Sequence, residues 1–207
     1  MTETSERTVS NWNVPNALTT LRIVMVPFFG WALLHHGGHD NGWRWVAYAL
    51  FVVAMVTDKI DGDLARKHDL VTNFGKIADP IADKTLTGMA FVGLTIIGAL
   101  GPFGWWVTAV VLVREWGVTL ARLSIARHVV LAANRSGKLK TMAQALALGG
   151  LSAPFHQLHG WWNVPGDVVW VASVAMLVVA VVLTVTSGVE FARDARKQTR
   201  AARAAKA

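Results

Sequence analysis

Acidic residues are scarce in this 207-residue chain, yet four aspartates in the stretch Thr57 to Lys84 (TDKIDGDLARKHDLVTNFGKIADPIADK) are spaced to act together. Asp58 and Asp61 stand at i and i+3, Asp79 and Asp83 at i and i+4. On helices, each pair projects from one face. The segment between them is short, so the two helices are expected to be antiparallel neighbours whose pairs meet. Four unpaired carboxylates in one place repel each other, and divalent cations offset that repulsion. Hard oxygen donors suit Mg²⁺, Mn²⁺ or Ca²⁺. His68 is the one imidazole in the segment and reads as a loop residue. Two ions in such a site could clamp a diphosphate and stabilise the entering and leaving oxygens of a displacement. The alternative is an interfacial salt-bridge network with Lys59, Arg66, Lys76 and Lys84. Two pairs at helical spacing, with the small residues Gly62, Ala65 and Gly75 between them, favour metal. Small residues let a backbone or ligand approach closely, and Gly62 would let a nucleotide ring lie against its helix.

The elements that must position these residues are apolar. Hydrophobic residues make up 53% of the chain and charged residues only 16%, against about 25% charged in soluble domains. The mean hydropathy is +0.40. A span needs roughly 20 apolar residues, and six candidates are read at about 17–36, 43–60, 77–100, 103–127, 139–157 and 166–188. The expected fold is therefore an all-α integral membrane protein of six transmembrane helices. It forms a single membrane domain over residues 1–192, followed by a basic tail at 193–207 that is either a helical extension lying on the membrane surface or a solvated tail. Arg22 falls inside the first span, where a charge costs a few kcal/mol unless it is paired, snorkels or faces a wet cavity.

Charge asymmetry supports the count. Arg7, the cluster from Lys59 to Lys84, the group Arg127, Arg135, Lys138 and Lys140, and the tail from Arg193 to Lys206 all fall on one side. The other side holds Arg44, the Gly101-Pro102 turn and the neutral stretch from Gln157 to Pro165. The positive-inside rule makes both termini cytoplasmic. Trp12, Trp43, Trp45, Trp105, Trp106, Trp161 and Trp162 cluster at the ends of apolar runs, as interfacial anchors do. The net charge of +7 is confined to the connections, which points to an anionic membrane or substrate and not to nucleic acid. There is no cysteine, hence no disulfide, thiolate metal site or cysteine nucleophile. The first ten residues lack the basic start and apolar core of a signal peptide.

The pattern Asp58-x2-Asp61-Gly62-x2-Ala65-Arg66-x8-Gly75-x3-Asp79-x3-Asp83 resembles in full the signature of the CDP-alcohol phosphatidyltransferases. That resemblance implies a six-helix membrane enzyme, usually a homodimer, using two divalent ions, Mg²⁺ or Mn²⁺. It implies that Asp58, Asp61 and Asp79 ligate metal and that Asp83 ligates metal or acts as general base. Gly62, Ala65 and Arg66 would line the cytidine nucleotide site, with Gly75 beside them. Further segments resemble the branch that makes phosphatidylglycerophosphate. These are Asn13-Val-Pro-Asn16-Ala-Leu-Thr19-Thr-Leu-Arg22 with Pro27-Phe28, Asp79-Pro-Ile-Ala-Asp83-Lys84, Arg114-Glu115, and Gly137-Lys138-Leu-Lys140-Thr141-x2-Gln144. Asn16 and Thr19 join the expected nucleotide-site residues on this basis. The resemblance covers residues about 13–150, and the C-terminal third adds little beyond an apolar span. Lys59 and Asp63 occupy places often apolar or aromatic in relatives.

The residues themselves point to an anionic acceptor. Arg114, Arg122, Lys138 and Lys140 lie in or near apolar helices toward the cytoplasmic side, where Arg and Lys could bind a phosphate. Lys138 and Lys140 could equally snorkel at a span start. Glu115 would orient Arg114 or a substrate hydroxyl. The reaction that the resemblance implies transfers the phosphatidyl group of CDP-diacylglycerol to glycerol 3-phosphate and releases CMP, at the cell membrane with the site facing the cytoplasm. Asp83 would take the hydroxyl proton, and no Ser-His or Cys-His nucleophile suggests a covalent intermediate. Inositol phosphate or phosphatidylglycerol are rival acceptors. A metal transporter is a rival of another class, disfavoured because the four aspartates lie at span ends. A non-catalytic scaffold leaves the eight matched positions without a reason.

Overall fold

The computed structural model describes residues 13–68, 72–125, 135–158 and 160–204. Among them the chain forms six α-helices: α1 Val14–Leu34, α2 Asn41–Lys67, α3 Asn73–Ile96, α4 Gly104–Ile125, α5 Arg135–Ser152 and α6 Asn163–Ala204. Short 3₁₀ turns cover His35–Gly38, Phe155–Gln157 and Gly160–Trp162, and no strand occurs among the described residues. Each expected span contributes to one helix. Two helical stretches, Val14–Gly38 and Asn163–Phe191, are long and apolar enough to cross a membrane.

Local chemistry explains the helix starts. Asn13 caps α1 by accepting from the Asn16 amide at 2.9 Å, with proline in the first turn. Asp40 accepts from the Trp43 amide at 3.2 Å, and Thr72 from the Gly75 amide at 3.0 Å. The reversal after α1 uses a left-handed backbone at Gly38 (φ 78°), where a Cβ would also lie 2.5 Å from Ile97 Cγ2. Glycine is required there on both counts.

Two boundaries differ from expectation. α2 continues past residue 60 to Lys67, so the Asp58–Arg66 motif forms its last turns rather than a connection. α6 runs unbroken to Ala204, so no helix boundary separates the expected domain from its basic tail. Neighbourhoods differ too. α1 packs along both α2 and α3, which touch each other only slightly. The expected side-by-side pair is thus replaced by a wedge. Elsewhere α5 packs on α6 and α2, and α4 on α3 and α6.

Helix directions follow from specific contacts. The start of α1 meets the end of α2 through Arg22 and Asp58, and meets the start of α3 through Thr19 and Asp79. The end of α3 meets the start of α4 through the Thr95–Thr108 hydroxyl pair at 2.7 Å. The start of α2 meets the end of α5. There Arg44, buried, donates to the carbonyls of Leu151, Ser152 and Ala153 at 2.6, 3.1 and 3.3 Å. These are carbonyls a helix end leaves without partners. The end of α5 also meets the first half of α6, where Gly150 lies against Ser173, so odd and even helices run in opposite directions.

The apolar core is built on Phe29, Leu33, Phe51, Leu86, Phe91, Leu94, Leu148 and Leu151, with Phe29 and Phe51 ring centroids 5.6 Å apart. Burial is otherwise inverted relative to a water-soluble protein. Arg22, Asp61, Glu115 and Lys140 are buried, while Val113, Trp105, Trp106 and Val164 are among the exposed residues. Trp43 and Trp45 pack against Trp31 and Phe155 respectively, so only part of the expected tryptophan belt faces outward. Trp12 lies outside the described residues.

Candidate active site

The acidic quartet is assembled by α1. Asn16, Thr19 and Arg22 recur every third residue on one face of that helix, and all three are buried. Asn16 Nδ2 donates to Thr72 Oγ1 at 2.9 Å. The hydroxyl of Thr19 donates to Asp79 Oδ1 at 2.7 Å. Arg22 reaches the other helix, its Nη1 donating to Asp58 Oδ1 and its Nη2 to Asp61 Oδ2. One stripe of α1 thus holds the cap of α3 and three of the four aspartates. Gly75 permits the approach, since a Cβ there would lie 3.0 Å from Asn16 Oδ1 and 3.3 Å from Thr72 Oγ1.

The carboxylates are close enough to act on one another. Asp58 feels the charges of Asp79 and Asp83, and Asp61 those of Asp58 and Asp79. Asp58 and Asp61 share a face, as their spacing required. The salt-bridge alternative is half right. Lys84 pairs with Asp83 at 2.6 Å, whereas Asp58 and Asp61 take Arg22 from another helix. Asp63 is exposed on α2.

Among the described residues, no three carboxylate, imidazole or thiol groups are gathered closely enough to hold an ion between them. The donor set still suits a hard divalent cation. Among the described residues, the ion pairs set only Arg22 and Lys84 against four carboxylates, and Lys84 is shared with Glu115. Negative charge is left in excess. Arg22 Nε is buried with no hydrogen-bond partner, a cost of about 1–3 kcal/mol that a bound ligand or water would relieve.

Beside this quartet lies a second, basic cluster. Glu115 on α4 is buried and accepts from three cations on three helices. Arg114 Nη1 lies 2.9 Å from its Oε1, Lys84 Nζ 3.0 Å from its Oε2, and Lys140 Nζ also bonds Oε1. Arg114 Nη2 in turn donates to Ser187 Oγ on α6 at 2.7 Å. A Cβ at Gly188 would lie 3.1 Å from Arg114 Cγ, so the glycine makes room for the arginine. Two of the four expected acceptor residues, Arg114 and Lys140, are therefore together. The side chains of the other two, Arg122 and Lys138, and that of Arg66 lie outside the described ones. Gly62 and Ala65 sit partly exposed in the last turns of α2.

Sequence reasoning missed the reach of Lys84 to Glu115, the roles of Ser187 and Gly188 and the partners of Arg22. A signal existed for Arg22, because Asn16, Thr19 and Arg22 form a period-three polar stripe in an otherwise apolar helix. A cavity of about 490 Å³ lies elsewhere, at the C-terminal end of α1, lined by Pro27, Gly30, Trp31, Leu34, His35, His36 and Met89. It shares no residue with either cluster.

The sequence profile described as CDP-alcohol phosphatidyltransferase matches residues 12–186. Individual relatives agree. The chain is 45% identical over 183 residues to a "Probable phosphatidylglycerophosphate synthase" of Mycobacterium tuberculosis, covering 86% of this chain and 79% of that one. It is 39% identical over 191 residues to the CDP-diacylglycerol–glycerol-3-phosphate 3-phosphatidyltransferase of Bacillus subtilis, covering 87% and 93%. To the protein of that name in Escherichia coli K12 it is 34% identical over 194 residues, covering 89% and 96%. The matched region contains every residue of the acidic quartet and most of the basic cluster's partners up to α6, and the chain belongs to the CDP-alcohol phosphatidyltransferase family.

Proposed function

We propose that this chain transfers the phosphatidyl group of CDP-diacylglycerol to the primary hydroxyl of glycerol 3-phosphate, releasing CMP. The observation that carries this reading is the adjacency of the two clusters, joined through Lys84. One is rich in carboxylates, as a metal-diphosphate site requires. The other is rich in cations, as an acceptor phosphate requires. The names of the relatives supply the same two substrates.

Asp58, Asp61, Asp79 and Asp83 would hold Mg²⁺ or Mn²⁺. When bound, such ions neutralise charge on the diphosphate and on the departing CMP. Thr19 and Arg22 orient three of these carboxylates. Arg114 and Lys140 hold the acceptor phosphate, with Arg122 and Lys138 proposed beside them. Asn16, Gly62, Ala65, Arg66 and Gly75 belong to the nucleotide side. Asp83 takes the proton of the acceptor hydroxyl. That oxygen forms the new bond to the phosphorus bearing diacylglycerol, and the bond from this phosphorus to the oxygen of CMP breaks. Positioning and charge stabilisation supply most of the acceleration.

The setting is the cell membrane. Six spans with cytoplasmic termini are supported by the alternating helix directions, the exposed apolar residues and the one-sided charge. A homodimer is proposed from the family alone. The test is CMP release from CDP-diacylglycerol by purified protein with Mg²⁺ or Mn²⁺, offering glycerol 3-phosphate, inositol phosphate and phosphatidylglycerol separately. Release with glycerol 3-phosphate alone supports the reading. Release only with another acceptor keeps the family and overturns the substrate.

A further inference from the structure

We infer that Lys84 is a positioning residue that ties the proton-accepting Asp83 to the acceptor-phosphate seat, so that the enzyme selects acceptors by the separation of their hydroxyl and phosphate. The inference deepens the proposed function and rests on it. Lys84 is largely buried, with its side chain 14% exposed. Its ammonium lies 2.6 Å from Asp83 Oδ2 and 3.0 Å from Glu115 Oε2. The two carboxylates therefore cannot lie further apart than these contacts in series. Glu115 passes the constraint on, because its other oxygen holds Arg114 and Lys140. A continuous line of charge-assisted bonds runs from Asp83 through Lys84 and Glu115 to the two residues that would hold phosphate.

Charge fits the same division of labour. Three cations, Lys84, Arg114 and Lys140, face two carboxylates, Glu115 and Asp83, so the cluster is net positive by one charge. A phosphate monoester carries close to two negative charges at neutral pH. Arg114 also keeps a buried Nε with no partner, while its Nη1 and Nη2 are held by Glu115 and Ser187. The guanidinium is thus fixed in orientation, with its Nε–H among the donors left for an oxygen anion. An ammonium between two carboxylates presents three donors, so Lys84 touches both and can still meet the acceptor. A small molecule whose hydroxyl reaches Asp83 while its phosphate reaches Arg114 and Lys140 satisfies both ends. Glycerol, which has no phosphate, satisfies one.

The experiment measures KM and kcat for glycerol 3-phosphate, glycerol and CDP-diacylglycerol in wild type, Lys84→Met and Lys84→Arg. Thermal unfolding of each variant is followed in parallel. Lys84→Met is expected to raise KM for glycerol 3-phosphate about tenfold, the scale of one charge-assisted hydrogen bond, and to lower kcat. KM for CDP-diacylglycerol should not move, and the preference for glycerol 3-phosphate over glycerol should narrow. Lys84→Arg keeps the charge and safeguards folding of the buried network. It should restore KM more fully than kcat, because its planar fork spans the carboxylates at a different spacing. Wild-type KM values in both folded variants would overturn the inference. So would a parallel rise in both substrates' KM, which marks a merely structural lysine. A wild-type protein that releases no CMP with glycerol 3-phosphate would instead overturn the transferase reading beneath it.

Discussion

Replacing Arg22 by methionine removes the cation that faces both Asp58 and Asp61 while keeping much of the side chain's volume. Arg22 is 1% exposed, and the side chains of Asp61 and Asp58 are 4% and 38% exposed. Breaking a buried ion pair by deleting one partner costs about 3–5 kcal/mol, because the remaining charge is left uncompensated. Asp58 is partly reached by solvent and contributes little of this. The expected loss is therefore about 3 kcal/mol, at the low end of that range. Divalent metal should oppose the loss. A ligand that binds only the folded state stabilises it by about 2.7 kcal/mol at a concentration of about 100 times its Kd. In the proposed site Arg22 and a bound cation would compete for the charge of the same two carboxylates, so the variant should also bind metal more tightly than wild type. The assay is thermal unfolding in detergent with EDTA and across a Mn²⁺ series, together with direct Mn²⁺ titration. Arg22→Met should unfold earlier in EDTA and recover more than wild type as Mn²⁺ rises. Equal unfolding in EDTA, or equal Mn²⁺ stabilisation of the two proteins, would refute the assignment of Arg22 as the counter-ion of the metal-binding pair.

Other sites make separate predictions. Asp83→Asn should leave the protein folded and lower kcat by about 10²–10⁴-fold, and full activity would end the base assignment. Gly188→Ala places a methyl 3.1 Å from Arg114 Cγ. It should raise KM for glycerol 3-phosphate while leaving KM for CDP-diacylglycerol alone, as steady-state kinetics would show. Arg44→Met strips three carbonyls at the end of α5 of their donor. Each buried group left unsatisfied costs about 1–3 kcal/mol, so the variant should melt earlier yet keep wild-type kcat at a temperature where it is folded. Gly75→Ala should separate α1 from α3 and weaken Mn²⁺ binding, read by titration of the purified variant.

The elements and the acidic quartet were legible in the sequence because both follow from simple periodicities. Apolar runs gave each helix, and spacings of three and four put Asp58 with Asp61 and Asp79 with Asp83. The helix order was not legible. A short connection suggested that α2 and α3 pack side by side, but α1 lies against both, and only tertiary packing decides which helix fills a groove. For that reason the bonds of Asn16 to Thr72 and of Thr19 to Asp79 could not be read from the sequence. Arg44 could not be told from an ordinary headgroup charge, since an arginine at a span end looks the same whether it snorkels or caps a neighbouring helix. Lys84 was hidden by its closeness to Asp83 in sequence, which gave no hint of Glu115 on another helix. The last helix seemed only an apolar span, because Ser187 and Gly188 are small residues whose use depends on Arg114 reaching them.

The central claim is transfer of phosphatidyl to glycerol 3-phosphate. Its most direct test incubates the purified full chain with CDP-diacylglycerol, Mn²⁺ and isotopically labelled glycerol 3-phosphate, then identifies the lipid product by mass and quantifies CMP. The account predicts labelled phosphatidylglycerophosphate in equal amount to CMP, and none with Asp83→Asn. CMP formed without label in any lipid, or label carried equally into lipid by Asp83→Asn, would contradict it.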